Sequence, residues 1–346
     1  MEKRETLHTD PIGDNVQLDP AVVAKLPPNS KILSVTPSGN SLWVGTVKIV
    51  VELADGTTAE FFKKGAHGSV GINMMKGTWE AESALYKFVP HYTPQPVGWG
   101  TYENDPDTSF YLCEFVDMDD DLPGPREWAK AVSSLHLLSM GKSPTGQFGF
   151  PVATHLANVP VNNAWNVSWE AFWTQQMKSL FDQEARVNGP DDELEALKTT
   201  YMSEVIPRYL RPLESEGRSI TPCLIHSDLW PGNIKPKADS YDVELCMFDA
   251  CAYWGHNEAD LGICRNPRYK LGQPCVQEYH KRVPISEPQA DFDGRNAVYA
   301  MKYHALLSTM YKDRKFRQVL IEELKSLINM AGAGRSDPDV ALPPRL

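Results

Sequence analysis

No run of 18 apolar residues occurs in the 346-residue chain, so the sequence offers no helix that spans a membrane. The first twenty residues lack the apolar centre of a secretory signal. Positive charge is scarce: 34 Lys and Arg stand against 45 Asp and Glu, a net charge of −11. That balance argues against a nucleic-acid partner, because a phosphate backbone needs a basic surface. It leaves room for a bound nucleotide, which a few local cations can hold. The six cysteines (Cys113, Cys223, Cys246, Cys251, Cys264, Cys275) make no C-x-x-C pair and no zinc-ligand cluster. They read as buried free thiols of a cytoplasmic protein, kept in a reducing environment.

What the chain does contain is concentrated in Leu224-Ile225-His226-Ser227-Asp228-Leu229-Trp230-Pro231-Gly232-Asn233, followed by Met247-Phe248-Asp249. An apolar strand feeds a polar loop, and a second apolar strand ends in a carboxylate. The spacing H-x-D-x-x-x-x-N, then D, is what phosphoryl transfer from a nucleotide requires. One Asp receives or orients the acceptor hydroxyl proton, while an Asn and a second Asp hold the metal ions that bridge the phosphates. Asp228 takes the first role; Asn233 and Asp249 take the second.

Around this stretch the chain divides into a leader (1–20), a strand-rich lobe (21–116), a helical lobe (117–331) and a tail (332–346). Within the leader, Asp19 is placed to cap a short helix from Pro20 to Lys25. The loop Gly39-Asn40-Ser41 lies between two strands, and its small residues let backbone N–H groups approach phosphates. Lys63 ends an apolar strand where a phosphate-binding lysine is expected, with Lys64 as its competitor on the opposite face of the pleat. Gly65 to Gly77, rich in glycine, is expected to be mobile. A helix is expected from Thr78 to about Val89, with Glu80 and Glu82 as candidate partners of the lysine. The order gives an α+β, two-lobed protein-kinase-like fold: a small antiparallel sheet with one helix, then a larger helical lobe. Helical segments are expected over Asp191–Val205 and Arg208–Leu213, split by Pro207. The residues after Asp249 are Ala250-Cys251 rather than Phe-Gly, and no A-P-E sequence follows, so a peptide platform for a protein-kinase substrate is missing.

The segment from His226 to Asn233 resembles the H-G-D-L-W-S-G-N motif of the fructosamine kinases, also called ketosamine or ribulosamine 3-kinases. Phe248-Asp249 and Tyr253-Trp254-Gly255-His256-Asn257-Glu258-Ala259-Asp260-Leu261 resemble their D-P-A-x-Y-Y-G-H-R-E-x-D-L stretch. Phe61-Phe62-Lys63 resembles their F-[LV]-K strand, and Asn163-Ala164-Trp165 their N-x-W segment. The resemblance runs from about residue 30 to about residue 330, and the long leader and the hairpin at Asp55-Gly56 look like fungal members. It implies an ATP- and Mg²⁺-dependent kinase, of the aminoglycoside phosphotransferase group, that phosphorylates the 3-hydroxyl of a sugar on an amine. The acceptor would be a small-molecule ketosamine or a glycated protein amine.

By that resemblance Lys63 is the phosphate lysine, and Glu80 is taken over Glu82 as its partner. Glu114, Phe115 and Val116 form the adenine hinge. Trp230 stands beside the sugar, with His226, His256, Asn163 and Trp165 on the substrate side. Ser227 and Pro231 depart from the motif, standing where Gly and Ser are usual. The alternatives are a phosphotransferase acting on an aminoglycoside, choline or another amino alcohol, and a silent nucleotide or metabolite binder.

Overall fold

The computed structural model describes residues 18–39, 41, 44–238 and 244–333. The chain opens with α1 (Pro20–Val23), capped as expected by the Asp19 carboxylate, which accepts from Ala21 N at 2.9 Å. The same carboxylate accepts from Glu103 N and Asn104 N, tying α1 to the hairpin beyond.

Five antiparallel strands follow: β1 (Lys31–Pro37), β2 (Gly45–Glu52), β3 (Thr58–His67), β4 (Pro96–Thr101) and β5 (Thr108–Glu114), in the order β1-β2-β3-β5-β4. Alternation along β2 buries Val47, Ile49 and Val51 on one face, against Leu18, Val22 and Leu26 from the α1 region. The other face carries Ala66, Tyr111 and Cys113 and is covered by α2 (Gly68–Phe88) through Met74 and Met75. The sheet is therefore coated on both sides, and each face of β3 looks into a different environment.

Helix α2 starts ten residues before the expected Thr78. The glycines of the preceding segment serve close packing rather than mobility. A Cβ on Gly71 would stand 2.6 Å from the Ala66 backbone, and one on Gly77 would stand 2.6 Å from Ala153 O. Only a residue without a side chain lets α2 lie so close to β3 and to the helical lobe.

The second part is mainly helical: α3 (Pro125–Ser139), the short pair β6 (His155–Leu156) and β7 (Val159–Pro160), α4 (Trp169–Asn188), α5 (Asp192–Thr200) and α6 (Ile206–Leu210). Four short strands follow, β8 (Cys223–Ile225), β9 (Ile234–Pro236), β10 (Leu245–Met247) and β11 (Tyr253–Gly255), and then α7 (Gly272–His280), α8 (Phe292–Met310) and α9 (Arg314–Ala333). Pro207 does not split its helical segment. A π-helical turn over Tyr201–Val205 widens the spiral ahead of the proline, and helix resumes at Ile206. The aromatic stripe of α4 is core: Trp169, Phe172, Trp173 and Phe181 are buried, and Trp169 Nε1 donates to Tyr299 Oη on α8 at 2.9 Å. All six cysteines are free and buried.

Candidate active site

The antiparallel pairs β9–β10 and β8–β11 hold the two loops that carry Asp228 and Asp249. Asp228 lies in the loop between β8 and β9, and Asp249 just after β10. Ser227 and Asp249 both adopt positive φ, 70° and 60°, conformations that cost a residue with a side chain energy and cluster at functional sites.

Asn233 clamps the loop. Its Nδ2 donates to the Asp228 backbone oxygen at 3.0 Å and to Asp228 Oδ2 at 2.9 Å. Burial pushes the Asp228 carboxyl up to about 7; the Asp249 charge adds to the rise, while Lys302 and the Asn233 hydrogen bond oppose it. A carboxylate that titrates near neutrality suits proton transfer from a hydroxyl. With the Asn233 amide nitrogen committed to Asp228, its amide oxygen is the group left for a cation.

Across the cleft, the Lys64 ammonium donates to Asp249 Oδ1. Burial works against ionisation of Asp249, yet the Lys64 charge and hydrogen bond hold its carboxyl below the usual range. Lys64, Asp228 and Asp249 line one cavity of about 50 Å³, together with Ser41, Val44, Met74, Met75, Thr78, His155, Ala157 and Ala250.

Two expectations are corrected here. Lys63 shares its face of β3 with Phe61, on the α1 side, and its ammonium donates to Tyr102 Oη. Lys64 shares the α2 side with Ala66 and enters the cleft. On α2, Glu80 makes no ion pair among the described residues and is not on the cavity wall. Two positions on, roughly 200° around the helix, Glu82 is 2% exposed and accepts from Ala250 N at 3.0 Å, directly after Asp249. Burial pushes its carboxyl up to about 7, against the pull of that backbone N–H and of Lys64, and its Oε2 has no hydrogen-bond partner.

Several residues expected on the substrate side are braces instead. His226 is buried; its Nδ1 accepts from Asp228 N at 3.2 Å and its Nε2–H donates to Phe248 O at 3.0 Å, joining the two loops. His256 is buried between Tyr299 Oη, 2.8 Å from Nδ1, and Ser286 Oγ, 2.9 Å from Nε2. Asn163 donates to Val152 O and Thr154 Oγ1, and Trp165 packs on the helical core, its ring filling the space beside Gly149. Trp230 differs: it is 42% exposed, its ring centroid 6.5 Å from that of Tyr269.

At the far end of β5, Glu114 N donates to Gln95 O and Phe115 N to Glu60 O, so of the three expected hinge N–H groups only that of Val116 has no partner among the described residues. Gly39 has φ 80°, Ser41 reaches the cavity, and Asn40 lies outside the described residues.

The loop also rests on residues that the motif spacing did not assign. Asp260 Oδ2 accepts from His226 N at 2.9 Å and its Oδ1 from Ser227 N at 2.6 Å, while His136 Nε2 lies 3.1 Å from Oδ2. From α8, buried Lys302 donates to Ser227 O at 2.8 Å and to Ser227 Oγ. Asp260 carried a sequence signal, since it lies within the motif after Asp249. Lys302 carried none.

Cation binding can be tested against the donors present. Among the described residues no cluster of three or more His, Cys, Asp or Glu exists that could hold a metal by itself. One amide oxygen and one carboxylate, completed by phosphate oxygens and water, is the set that Mg²⁺ takes at nucleotide sites.

A model of the family described as fructosamine kinase matches residues 33–329. A chloroplastic protein-ribulosamine 3-kinase of Arabidopsis thaliana is 29% identical over 250 residues, 71% of this chain and 69% of that protein. A ketosamine-3-kinase of Mus musculus is 31% identical over 159 residues, 46% of this chain and 47% of that protein. Among solved structures, a Thermobifida fusca protein provisionally named fructosamine-3-kinase superposes with a TM-score of 0.66 at 21% identity, covering 89% of this chain and 98% of that one. The aminoglycoside phosphotransferase APH(4)-Ia superposes with a TM-score of 0.58 at 11% identity, over 88% of this chain and 96% of that one. The last two establish the fold as protein-kinase-like. With the family model spanning most of the length, the chain belongs to the fructosamine kinase family.

Proposed function

We propose that this protein is a ketosamine 3-kinase, transferring the γ-phosphoryl group of ATP to the 3-hydroxyl of a fructosyl or ribulosyl amine. The observation that carries the reading is the Asp228 carboxylate, clamped by Asn233 at 2.9 Å, in one cavity with Asp249 and Lys64. In this reading Asp228 accepts the acceptor hydroxyl proton, and Asn233 and Asp249 hold Mg²⁺. When bound there, Mg²⁺ would supply charge neutralisation on the phosphate oxygens. Lys64 orients the phosphates, the loop at Gly39-Asn40-Ser41 covers them, and the Val116 N–H meets the adenine. The exposed indole of Trp230 faces the sugar at the rim. Transfer then proceeds by positioning and electrostatics, with no covalent intermediate on the protein. The six free, buried thiols support a cytosolic site of action.

The test is an ATP- and Mg²⁺-dependent assay on ribulosyl-lysine, fructosyl-lysine, a glycated protein and an aminoglycoside, with the phosphorylated carbon located by NMR. The expected product is the 3-phosphate of one of the ketosamines. Turnover on the aminoglycoside alone would overturn the reading.

A further inference from the structure

We propose that His155 binds the acceptor sugar, donating from Nε2 to the hydroxyl on C4, next to the one that Asp228 receives. The inference rests on the ketosamine reading and names a contact within that site.

His155 sits in β6, on the wall of the same cavity as Asp228, Asp249 and Lys64. That cavity, at about 50 Å³, opens toward solvent, and His155, Asp228, Asp249 and Lys64 all face it. Polar groups from both lobes thus meet on one cavity wall, where a single ligand can contact more than one of them.

The position of the ring is fixed from several sides. Thr154, the preceding residue, points the other way: its Oγ1 donates to Ala252 O at 3.4 Å and accepts from Asn163 Nδ2 at 2.8 Å. Asn163 is itself held by Gln176 Nε2 at 3.1 Å. Above, α2 presses on the hairpin at Gly77, where a Cβ would meet Ala153 O at 2.6 Å and His155 Nδ1 at 3.5 Å. The turn after β6 carries Ala157 at φ 55°, a strained conformation on the same cavity wall. So Asn163, expected to touch substrate, instead braces the segment that presents His155.

The chemistry of the ring follows from its surroundings. Nδ1 is buried against α2 with no hydrogen-bond partner. Burial pushes the pKa down to about 4, so the imidazole is neutral. An unpaired buried N–H is costlier than an unpaired lone pair, which places the single proton on Nε2. Nε2 has no protein partner among the described residues, and it is the polar atom the ring can offer to the cavity. A donor at 155 beside an acceptor at 228 is the complement of a vicinal diol. One hydroxyl gives its proton to Asp228, and its neighbour accepts from His155. The base of the nucleotide would lie elsewhere, since Glu114, Phe115 and Val116 are not on this cavity's wall.

The experiment compares wild type and His155→Phe on ribulosyl-lysine and on its 4-deoxy analogue. One net hydrogen bond corresponds to about tenfold in KM. The expected result is about a tenfold rise in acceptor KM for His155→Phe, with KM for ATP unchanged within twofold. Wild type loses the same factor on the 4-deoxy substrate, and His155→Phe loses nothing further there. His155→Gln, which keeps an N–H donor, recovers part of the loss. Equal losses on both substrates, or a KM for ATP that rises with the acceptor KM, overturn the proposal. Should His155→Phe not fold, wild type alone decides: failure to discriminate against the 4-deoxy substrate overturns it. Absence of ketosamine phosphorylation by wild type overturns the functional reading and this inference together, whereas phosphorylation without the predicted split overturns this inference alone.

Discussion

Lys64 and Asp249 form an ion pair across the cleft, joining the α2-facing side of β3 to the turn after β10. The Lys64 side chain is 9% exposed and that of Asp249 is 53% exposed, so the lysine is the buried partner and the carboxylate the one open to the cleft. The buried Glu82 carboxyl, whose Oε2 has no hydrogen-bond partner, is a second acidic group within Lys64's field. The pair thus holds a lysine ready where nucleotide phosphates are expected. Lys64→Ala should lower kcat/KM for ATP by about 10²- to 10³-fold, as for loss of a group that stabilises charge at the reacting centre. Lys63→Ala, which breaks the contact with Tyr102, should change it only a few-fold. Steady-state kinetics on both variants checks the assignment, and the reverse ranking would refute it.

Asp228 offers a cleaner separation of chemistry from binding. Asp228→Asn keeps the size of the side chain but removes the base, and should lower kcat by about 10²- to 10⁴-fold. ATP affinity by calorimetry should stay within a few-fold, because in the proposed site Lys64 contacts the phosphates and Asn233 and Asp249 would hold the metal. Full turnover by this variant would remove Asp228 from the mechanism.

Two buried histidines make the fold sensitive to acid. Burial pushes the pKa values of His226 and His256 down to about 4 from 6.5. Both rings are neutral when folded, whereas the unfolded chain takes up protons from about pH 6.5 downward. Stability from these sites is therefore complete above pH 6.5 and is lost as pH falls toward 4, by roughly 2 kcal/mol for each ring at pH 5. Urea titrations at pH 7.5 and 5 should show that loss, and His256→Gln should reduce it. A flat profile between these values would mean that the rings are not held neutral.

The site's legibility in sequence followed the range of the interactions that set it. The grouping of Asp228, Asn233 and Asp249 was readable because one loop and one strand end fix their spacing. The choice between Lys63 and Lys64 was not, because pleat parity names two faces and only packing says which one α2 covers. That Glu82 rather than Glu80 reaches the turn after β10 has the same cause: the two lie roughly 200° apart around α2, and the position of α2 is set by close approach at Gly71 and Gly77. The glycines themselves misled, since a glycine needed for tight packing looks the same in sequence as one in a mobile loop. His226 and His256 lie in motifs yet serve as braces, because motif membership does not distinguish a group that touches substrate from one that holds its neighbour. Lys302 gave no signal at all: α8 is buried nearly all round, and a lone lysine in such a helix has no period to betray it.

Asp260 supplies the sharpest test of the loop's support. Its two oxygens accept from the backbone N–H groups of His226 and Ser227, immediately before Asp228, and it is fully buried beside His136. Burial alone would raise its pKa, but the His136 hydrogen bond and charge and the His226 N–H hold it below the usual carboxylate range. Asp260→Ala leaves two backbone donors and a histidine without their acceptor and should cost about 3–5 kcal/mol. Asp260→Asn keeps one acceptor oxygen and should cost less, yet still lower kcat, because one of the two backbone N–H groups ahead of Asp228, that of His226 or that of Ser227, loses its acceptor. Urea midpoints and kcat measured on the same samples decide the matter. A stable Asp260→Ala protein with wild-type turnover would show that Lys302 and Asn233 hold the loop unaided.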